Sequence, residues 1–198
     1  MSVKNLLFTI VLALFVCNPS WATTEDRSSP TSVVQLVVEQ VLEVLKDTNL
    51  EQGARREKIR SLIAPHFDFE AMSRSILARN WKKASKEQRD RFIELFSNLL
   101  ENTYIVAMEA YTNQKIRITG EKRKGKRALV KAVIEQDTGV VTPINYRMRQ
   151  NPDGWYAYDV IIEGVSLVSN YRSTFQTVVK RDGMDGLLEQ LAAKAAKE

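Results

Sequence analysis

Few side chains in this 198-residue chain could carry acid–base or nucleophilic chemistry. The one histidine, His66, stands between Pro65 and Phe67, where one predicted helix ends and the next begins. A serine or cysteine nucleophile needs a general base within hydrogen-bonding reach, and the setting of His66 favours a structural role instead. The one cysteine, Cys17, lies in the N-terminal segment. We therefore expect that the protein is not an enzyme.

Two carboxylates, Asp159 and Glu163, lie four residues apart on a predicted strand. At about 3.3 Å per residue they are roughly 13 Å apart, farther than the carboxylate pairs of glycosidases. We expect Asp159 to pair with a basic neighbour and Glu163 to bind backbone amides or Arg172. The chain has no Cys/His spacing typical of zinc, no phosphate-binding glycine loop and no run of alternating aspartates. We expect neither a metal nor a cofactor.

The first 22 residues have the pattern of a secretory signal. Lys4 supplies the positive end, residues 6–16 the apolar core, and Ser20-Trp21-Ala22 a cleavage site of the small-x-small type. The sequence thus predicts a signal peptide over 1–22 and a single exported domain over 23–198. Removal of the signal would also remove Cys17, so the stability of the domain must come from packing.

The basic residues are unevenly placed along a chain whose formal net charge is +5. Between Lys115 and Lys131 there are eight basic residues and one acidic residue, Glu121. One interpretation is a solvated hairpin, and the other is a docking patch for an acidic partner or anionic lipid headgroups. Export disfavours nucleic acid. The docking interpretation rests on a cluster at the hairpin turn: Lys122, Arg123, Lys124 and Lys126.

Helical periodicity dominates the first half of the chain. It predicts helices over about 33–47 and 52–63, a third helix that Asp68 caps, and a long helix that opens at a Ser85/Gln88 capping box and runs to about Tyr111. Apolar residues cover close to half the circumference of the long helix, whereas a surface helix needs a stripe of only about 100°. The long helix must therefore meet a thick protein core, or a core on one flank and a bound acyl chain on the other.

The second half reads as four antiparallel strands, over 115–120, 128–136, 144–150 and 155–162. After Gly164 the apolar spacing changes to three and four residues, which indicates a helix that begins near Val165 and folds back over the sheet. Helices before and after an antiparallel sheet predict an α+β domain with the helices packed on one sheet face.

One set of residues has the order of a known family signature: Trp155, Asp159, Val160, Glu163, Gly164, Val165, Ser166, Leu167, Tyr171, Arg172 and Phe175, with Phe67, Met72, Trp81, Phe92 and Phe96 upstream. With these residues the chain resembles the MlaC family, also called toluene-tolerance proteins, which are periplasmic phospholipid-binding carriers of Gram-negative bacteria. The resemblance extends over nearly the whole chain after residue 22.

The resemblance implies a four-stranded, mainly antiparallel curved sheet with helices on one face, enclosing an apolar pocket for a diacyl glycerophospholipid. It implies a periplasmic carrier that shuttles lipid between an inner-membrane Mla transporter complex and an outer-membrane lipoprotein–porin complex, docking transiently near each membrane. Outer-membrane lipid asymmetry and solvent tolerance would follow. The alternative from the residues alone is a structural or assembly protein of the cell envelope that uses its apolar surface for protein contacts.

We expect the pocket lining to come from three places; the expectation concerns the set, because for each residue taken singly an ordinary place in the core is favoured. These are, on the long helix, Phe92, Phe96, Leu99, Leu100 and Tyr104; on the sheet, Val130, Ala132, Ile134, Ile144, Tyr146 and Met148; and at the strand-to-helix junction, Val160, Ile162, Val165, Val168 and Tyr171. Three arginines are candidates for headgroup or rim contacts: Arg147, Arg149 and Arg172.

Overall fold

The computed structural model of the protein describes residues 28–109 and 113–195. The predicted signal peptide over 1–22 lies outside these residues. The helices in chain order are α1 (Pro30–Lys46), α2 (Gln52–Ile63), α3 (Phe69–Leu77), α4 (Arg79–Lys83), α5 (Lys86–Glu109) and α6 (Leu167–Ala195), with a 3₁₀ turn at Ala64–His66.

The helix starts follow the capping signals of the sequence. Asp68 caps α3 by accepting a 2.8 Å hydrogen bond from the backbone N–H of Ala71. At the start of α5, Ser85 Oγ accepts from the N–H of Gln88, and Gln88 Oε1 accepts from the N–H of Ser85, so both halves of the capping box are present. These bonds satisfy N–H groups that have no partner within the helix. Both predicted caps are confirmed.

Five antiparallel strands follow one another across a single sheet. They are β1 (Lys115–Lys124), β2 (Arg127–Glu135), β3 (Val141–Asn151), β4 (Gly154–Ile162) and β5 (Val165–Ser166). The α+β class and the one-sided packing of helices are confirmed, but the predicted count of four strands is one too few.

The missed strand arises from a tight reversal after β4. Glu163 and Gly164 both have positive φ, 50° and 84°, and they turn the chain so that β5 pairs back onto Ile161 and Ile162. Val165 therefore lies on a strand, and the helix begins two residues later, at Leu167. Periodicity cannot reveal this turn, because Val165 fits the three- and four-residue apolar spacing of the helix that follows.

The pairing register defines two faces of the sheet. Residues that pair directly across strands share a face, so the face that carries Ala128, Val130 and Ala132 also carries Met148, Tyr146 and Ile144. We call this the inner face, because α1 packs on it. The other, outer face carries the intervening residues. Register irregularities at Ile118/Gly120 and at Arg147/Met148 mark β-bulges, which increase the local twist of a sheet.

Helix α1 covers only part of the inner face. Its Val33 and Val34 form a buried cluster with Val130, Met148 and Trp155. Further along α1, Val41 and Val44 instead pack with Ile59 of α2 and Ile105 of α5. The helix thus leaves the sheet after its first two turns. At its start, the N–H and hydroxyl of Thr31 donate to Glu121 Oε2 at 3.1 and 2.7 Å, which fixes α1 to β1.

A second core lies among α3, α4, α5 and α6, and we call it the helical cluster. Its centre is aromatic: Phe92 and Phe96 stack at 5.7 Å, and Phe175 meets both rings edge-on at 5.8 and 6.2 Å. Such contacts add about 0.5–1.5 kcal/mol per pair beyond the burial of area. Among the described residues, the helical cluster contains no side chain of β1, β2 or β3.

Helix α6 is broken at Gly183, whose φ of 74° and ψ of −174° belong to a region that glycine alone occupies readily. A Cβ placed on Gly183 would meet no atom within 4 Å, so any cost of a side chain there is a cost of backbone conformation. Gly53 in α2 also has open space around it, but its φ is ordinary.

Substitution of these two glycines by alanine is expected to change stability in opposite directions. Gly183→Ala should lower the free energy of unfolding by about 1–3 kcal/mol because of backbone strain. Gly53→Ala should raise it by about 0.5 kcal/mol because alanine restricts the unfolded chain. Urea unfolding monitored by circular dichroism measures both. An unchanged midpoint for Gly183→Ala would mean that the break in α6 relaxes freely.

Candidate functional site

One apolar row crosses all five strands on the inner face. Direct pairing joins Ile118 to Ala132, Ala132 to Ile144, Ile144 to Ile162, and Ile162 to Val165. Ala132 is buried, the isoleucines are half-buried and Val165 is 58% exposed. A core row in a closed protein would be buried throughout, so this row still has apolar surface to cover.

Exposure on the inner face changes from one end of the sheet to the other. At the end where the β3–β4 turn lies, Met148 and Trp155 are 1% and 0% exposed beneath α1, and we call this the closed end. At the end where β1 begins and β2 ends, Ile116 and Ile134 pair with each other and are only half-buried. We call this the open end, because α1 has already turned away from the sheet there.

Tyr146 lies between these two ends, in the row formed with Val130 and Val160. Burial raises the pKa of Tyr146 from 10.0 to about 12. Part of its side chain nevertheless remains solvent-accessible. Tyr146 is thus surrounded largely by protein atoms and is still partly exposed.

The junction between β4 and α6 is held by a buried carboxylate. Asp159 is 1% exposed and accepts hydrogen bonds from Arg147 Nη1 at 2.9 Å, Ser166 Oγ at 2.7 Å and the N–H of Val168 at 3.1 Å. It thus satisfies the start of α6 and one guanidinium together. The prediction that Asp159 pairs with a basic neighbour is confirmed. Glu163 is exposed, and its N–H donates to the carbonyl of Pro143 at 3.0 Å.

The structure brings the sixteen predicted lining residues together in two groups. Nine lie on the inner face or at its edge: Val130, Ala132, Ile134, Ile144, Tyr146, Met148, Val160, Ile162 and Val165. Seven belong to the helical cluster: Phe92, Phe96, Leu99, Leu100, Val168 and, partly buried against it, Tyr104 and Tyr171. A ligand that touched both groups would have to lie between them.

The three predicted headgroup arginines do not converge. Arg147 pairs with Leu129 and Arg149 with Arg127 in the sheet register, so both lie on the outer face. Their guanidinium groups contact Asp159 at 2.9 Å and Asp68 at 3.2 Å respectively. Arg172 donates to the carbonyl of Ser75 at 2.8 Å, which joins α6 to α3.

The four predicted docking cations also divide between the two faces. Arg123 pairs with Ala128 on the inner face, and its guanidinium carbon lies 4.7 Å from the ring centre of Trp155. Lys122 and Lys124 lie on the outer face, and Lys126 lies in the turn that follows. We call Lys122, Lys124 and Lys126 the hairpin lysines. Within the part of the chain that the structure describes, none of the three makes an ion pair.

Like charges stand side by side on the outer face next to the hairpin lysines. Lys124 pairs with Arg127, and Arg127 pairs in turn with Arg149 on the next strand. Directly opposite side chains in a sheet have Cβ atoms about 4.5–5.5 Å apart, and like charges at that separation are destabilising. Asp68 pairs with Arg149 at 3.2 Å, so the positive charge of this part of the outer face comes from Arg127 and the hairpin lysines.

Two half-buried isoleucines of β1 that lie on the inner face were missing from the predicted lining: Ile116 and Ile118. Their alternation in β1 identifies them as inward-facing, and only the pairing register shows that they extend the apolar rows. A separate cavity of about 430 Å³ lies between α4, α5 and α6. It has a mixed polar lining that includes none of the predicted pocket residues: Asn80, Lys83, Ala84, Gln88, Gln176, Val179, Lys180 and Met184.

The sequence of the chain matches one known protein family. The family described as MlaC protein matches residues 35–193. The chain belongs to the MlaC family, as the sequence resemblance had indicated. Among the described residues, no helix has the length and apolar character needed to cross a membrane.

Two relatives align over most of the chain. The intermembrane phospholipid transport system binding protein MlaC of Haemophilus influenzae is 25% identical over 200 residues, covering 96% of this chain and 92% of the relative. The toluene tolerance protein ttg2D of Pseudomonas putida is 30% identical over 183 residues, covering 88% and 85% respectively.

A solved structure has the same fold. It is the phospholipid-binding protein from Ralstonia solanacearum in complex with a phospholipid. It superposes with a TM-score of 0.75 at 27% identity and covers 84% of this chain and 96% of its own.

Tyr146 provides a pH test of the inner face. Its raised pKa means that folding favours the protonated phenol, so this contribution to stability is complete below pH 10 and is lost as the pH rises through about 12. Tyr146→Phe should remove that alkaline loss. Spectrophotometric titration of phenolate should also lose its component near pH 12 in the variant. A wild-type titration with no such component would contradict the burial of Tyr146.

Proposed function

We propose that the protein is a periplasmic carrier that binds one diacyl glycerophospholipid noncovalently and moves it between the inner and outer membranes. The observation that carries the proposal is the row from Ile118 to Val165, which is apolar on every strand and incompletely covered. The fold shared with a phospholipid complex and the names of the relatives support the same ligand class.

The energetics of lipid transfer explain why such a surface is useful. Two tails of about sixteen carbons each, exposed to water at about 0.8 kcal/mol per CH₂, would cost more than about 20 kcal/mol. Spontaneous exchange through water is therefore slow. A carrier must offer an interior nearly as apolar as the bilayer, with polar groups only at the mouth.

The proposed tail site is the space between the inner face and the helical cluster. Leu99, Leu100 and Tyr104 of α5 and Tyr171 of α6 form one wall, and the half-buried inner-face rows form the other. The packed cluster around Met148 and Trp155 closes the site at one end. The tails would point towards that end, and the headgroup would remain at the open end.

Membership of the MlaC family suggests what the carrier serves. We propose that it exchanges lipid with an inner-membrane Mla transporter complex and with an outer-membrane lipoprotein–porin complex. Maintenance of outer-membrane lipid asymmetry would follow. The Haemophilus influenzae relative, by its name, is the binding protein of an intermembrane phospholipid transport system, which supports this assignment.

Filling the proposed tail site should remove the lipid and keep the fold. Ala132 is 1% exposed at the centre of the apolar row, so Ala132→Trp should displace the tails. Its neighbour Val133 faces the opposite side, so Val133→Trp is the matched control. Native mass spectrometry of protein purified from the periplasm should show phospholipid on the wild type and on Val133→Trp, with at least about a tenfold loss on Ala132→Trp.

Two results would contradict the proposed function or its location. Wild-type protein that carries no phospholipid would favour an envelope protein that uses its apolar surface for protein contacts. Full retention of lipid by a folded Ala132→Trp variant would place the tails elsewhere than on the inner face.

Of the four predicted docking cations, Arg123 is engaged by Trp155. We therefore propose that the other three, the hairpin lysines, attract an acidic partner. Reversal of all three, Lys122→Glu, Lys124→Glu and Lys126→Glu, should weaken binding to inner-membrane vesicles by about tenfold and reduce its dependence on salt. Retained lipid should not change. Lys58→Glu, Lys82→Glu and Lys194→Glu, three exposed helical positions, give the same change in net charge as a control. Equal weakening by both sets would mean that only net charge matters.

A further inference from the structure

Exposed apolar side chains are concentrated at the open end of the sheet. Four large hydrophobic residues are exposed among the described residues, and three of them are Val140, Val141 and Val165, at 53%, 54% and 58%. We call these three the valine lip. Solvent-exposed apolar groups that gather next to a ligand site indicate a surface meant for contact.

The valine lip is formed by two neighbouring turns. The β2–β3 turn is closed by a 2.9 Å hydrogen bond from the N–H of Gln136 to the carbonyl of Val140. The β4–β5 turn is joined to the start of β3 by the 3.0 Å bond from the N–H of Glu163 to the carbonyl of Pro143. Both turns therefore lie at the same end of the sheet. The register places Val165 on the inner face and Val141, which pairs with Glu135, on the outer face, so the valine lip spans the end of the sheet.

Each turn also presents one carboxylate. Asp137 lies in the first turn and Glu163 in the second, and both are exposed. Neither makes an ion pair with any other residue that the structure describes. The two turns of the lip thus carry carboxylates without an ion pair, while Lys115 and the Arg117–Glu135 pair lie beside them at the ends of β1 and β2. The hairpin lysines lie at the other end of β1, about 30 Å away for ten residues of strand.

We propose that the valine lip is the surface through which lipid is handed over, and that it seals against a protein partner with an apolar patch bordered by lysine or arginine. This inference rests on the proposed function. A sealed contact lets the tails pass from one apolar interior to the next without crossing water. An apolar centre with a polar, charged border is also the usual anatomy of a protein interface.

The border charges decide between a protein and a bilayer as the occupant. In a headgroup layer, Asp137 and Glu163 would lose water beside phosphates of like charge. A protein surface can instead place a cation opposite each carboxylate, which fixes orientation and excludes wrong partners. The hairpin lysines and the valine lip would then have separate roles, the first in attraction and the second in transfer.

The test measures delivery of a fluorescent phospholipid from loaded protein to two acceptors. One acceptor is inner-membrane vesicles of the parent bacterium, and the other is protein-free liposomes made from lipids extracted from those vesicles. Wild-type protein should deliver at least about tenfold faster to the vesicles. Val140→Ser with Val141→Ser should abolish that advantage, and Asp137→Asn with Glu163→Gln should reduce it and its salt dependence.

Native mass spectrometry of the same variants separates this inference from the proposed function. The Val140/Val141 variant should retain as much lipid as the wild type. Val106→Ser, which removes the fourth exposed hydrophobic residue, at 53%, is the control and should deliver normally. Unchanged delivery by the Val140/Val141 variant overturns the inference, and so does equal slowing towards liposomes, which would indicate contact with the bilayer. Loss of retained lipid overturns it too, since the valines would then belong to the binding site.

Discussion

The structure depends on an apolar sheet face that the chain covers at one end only. Sheet faces rich in isoleucine and valine must be buried against another layer, and in this fold α1 supplies that layer over Val130, Met148 and Trp155. Past Val38 the helix turns towards α2 and α5, so the rest of the face has no helix of its own. At the open end Ile116, Ile134 and Ile162 therefore remain only half-buried.

The helical cluster is held together by contacts between aromatic rings. Phe92, Phe96, Tyr171 and Phe175 contact one another in mixed stacked and edge-on geometry, and they close the helical cluster without help from the first three strands. Asp159 then ties the end of β4 to the start of α6. The helical cluster and the cluster beneath α1 are therefore each held by contacts of their own.

Much of the fold could be predicted because local signals agreed with the global structure. The caps at Asp68 and Ser85 and the alternation in the strands are properties of a few neighbouring residues, and tertiary packing did not override them. The fifth strand was missed because the turn at Glu163 and Gly164 places Val165 on a strand, although Val165 fits the apolar spacing of the helix that follows. Helical spacing shows which residues share one face of a helix. It does not show that Glu163 and Gly164 have positive φ.

The candidate site was less predictable than the fold. Apolar spacing on α5 indicates a wide buried arc, but it does not say whether Phe96 meets Tyr171 of the same chain or a lipid tail. The division of Lys122 and Arg123 between the two faces follows from the strand register, which a bulge at Ile118/Gly120 shifts. Both features depend on long-range contacts and strand register, which cannot be determined from a single sequence.

The row of Lys124, Arg127 and Arg149 gives the outer face a property of its own. Asp68 pairs with Arg149 at 3.2 Å, but Lys124 and Arg127 still repel each other, and dissolved ions screen that repulsion over about 8 Å at physiological ionic strength. Dissolved anions therefore lower the cost of holding these two charges side by side. A change in the ionic composition of the surroundings would therefore change the stability of this part of the sheet, even with no partner or ligand bound.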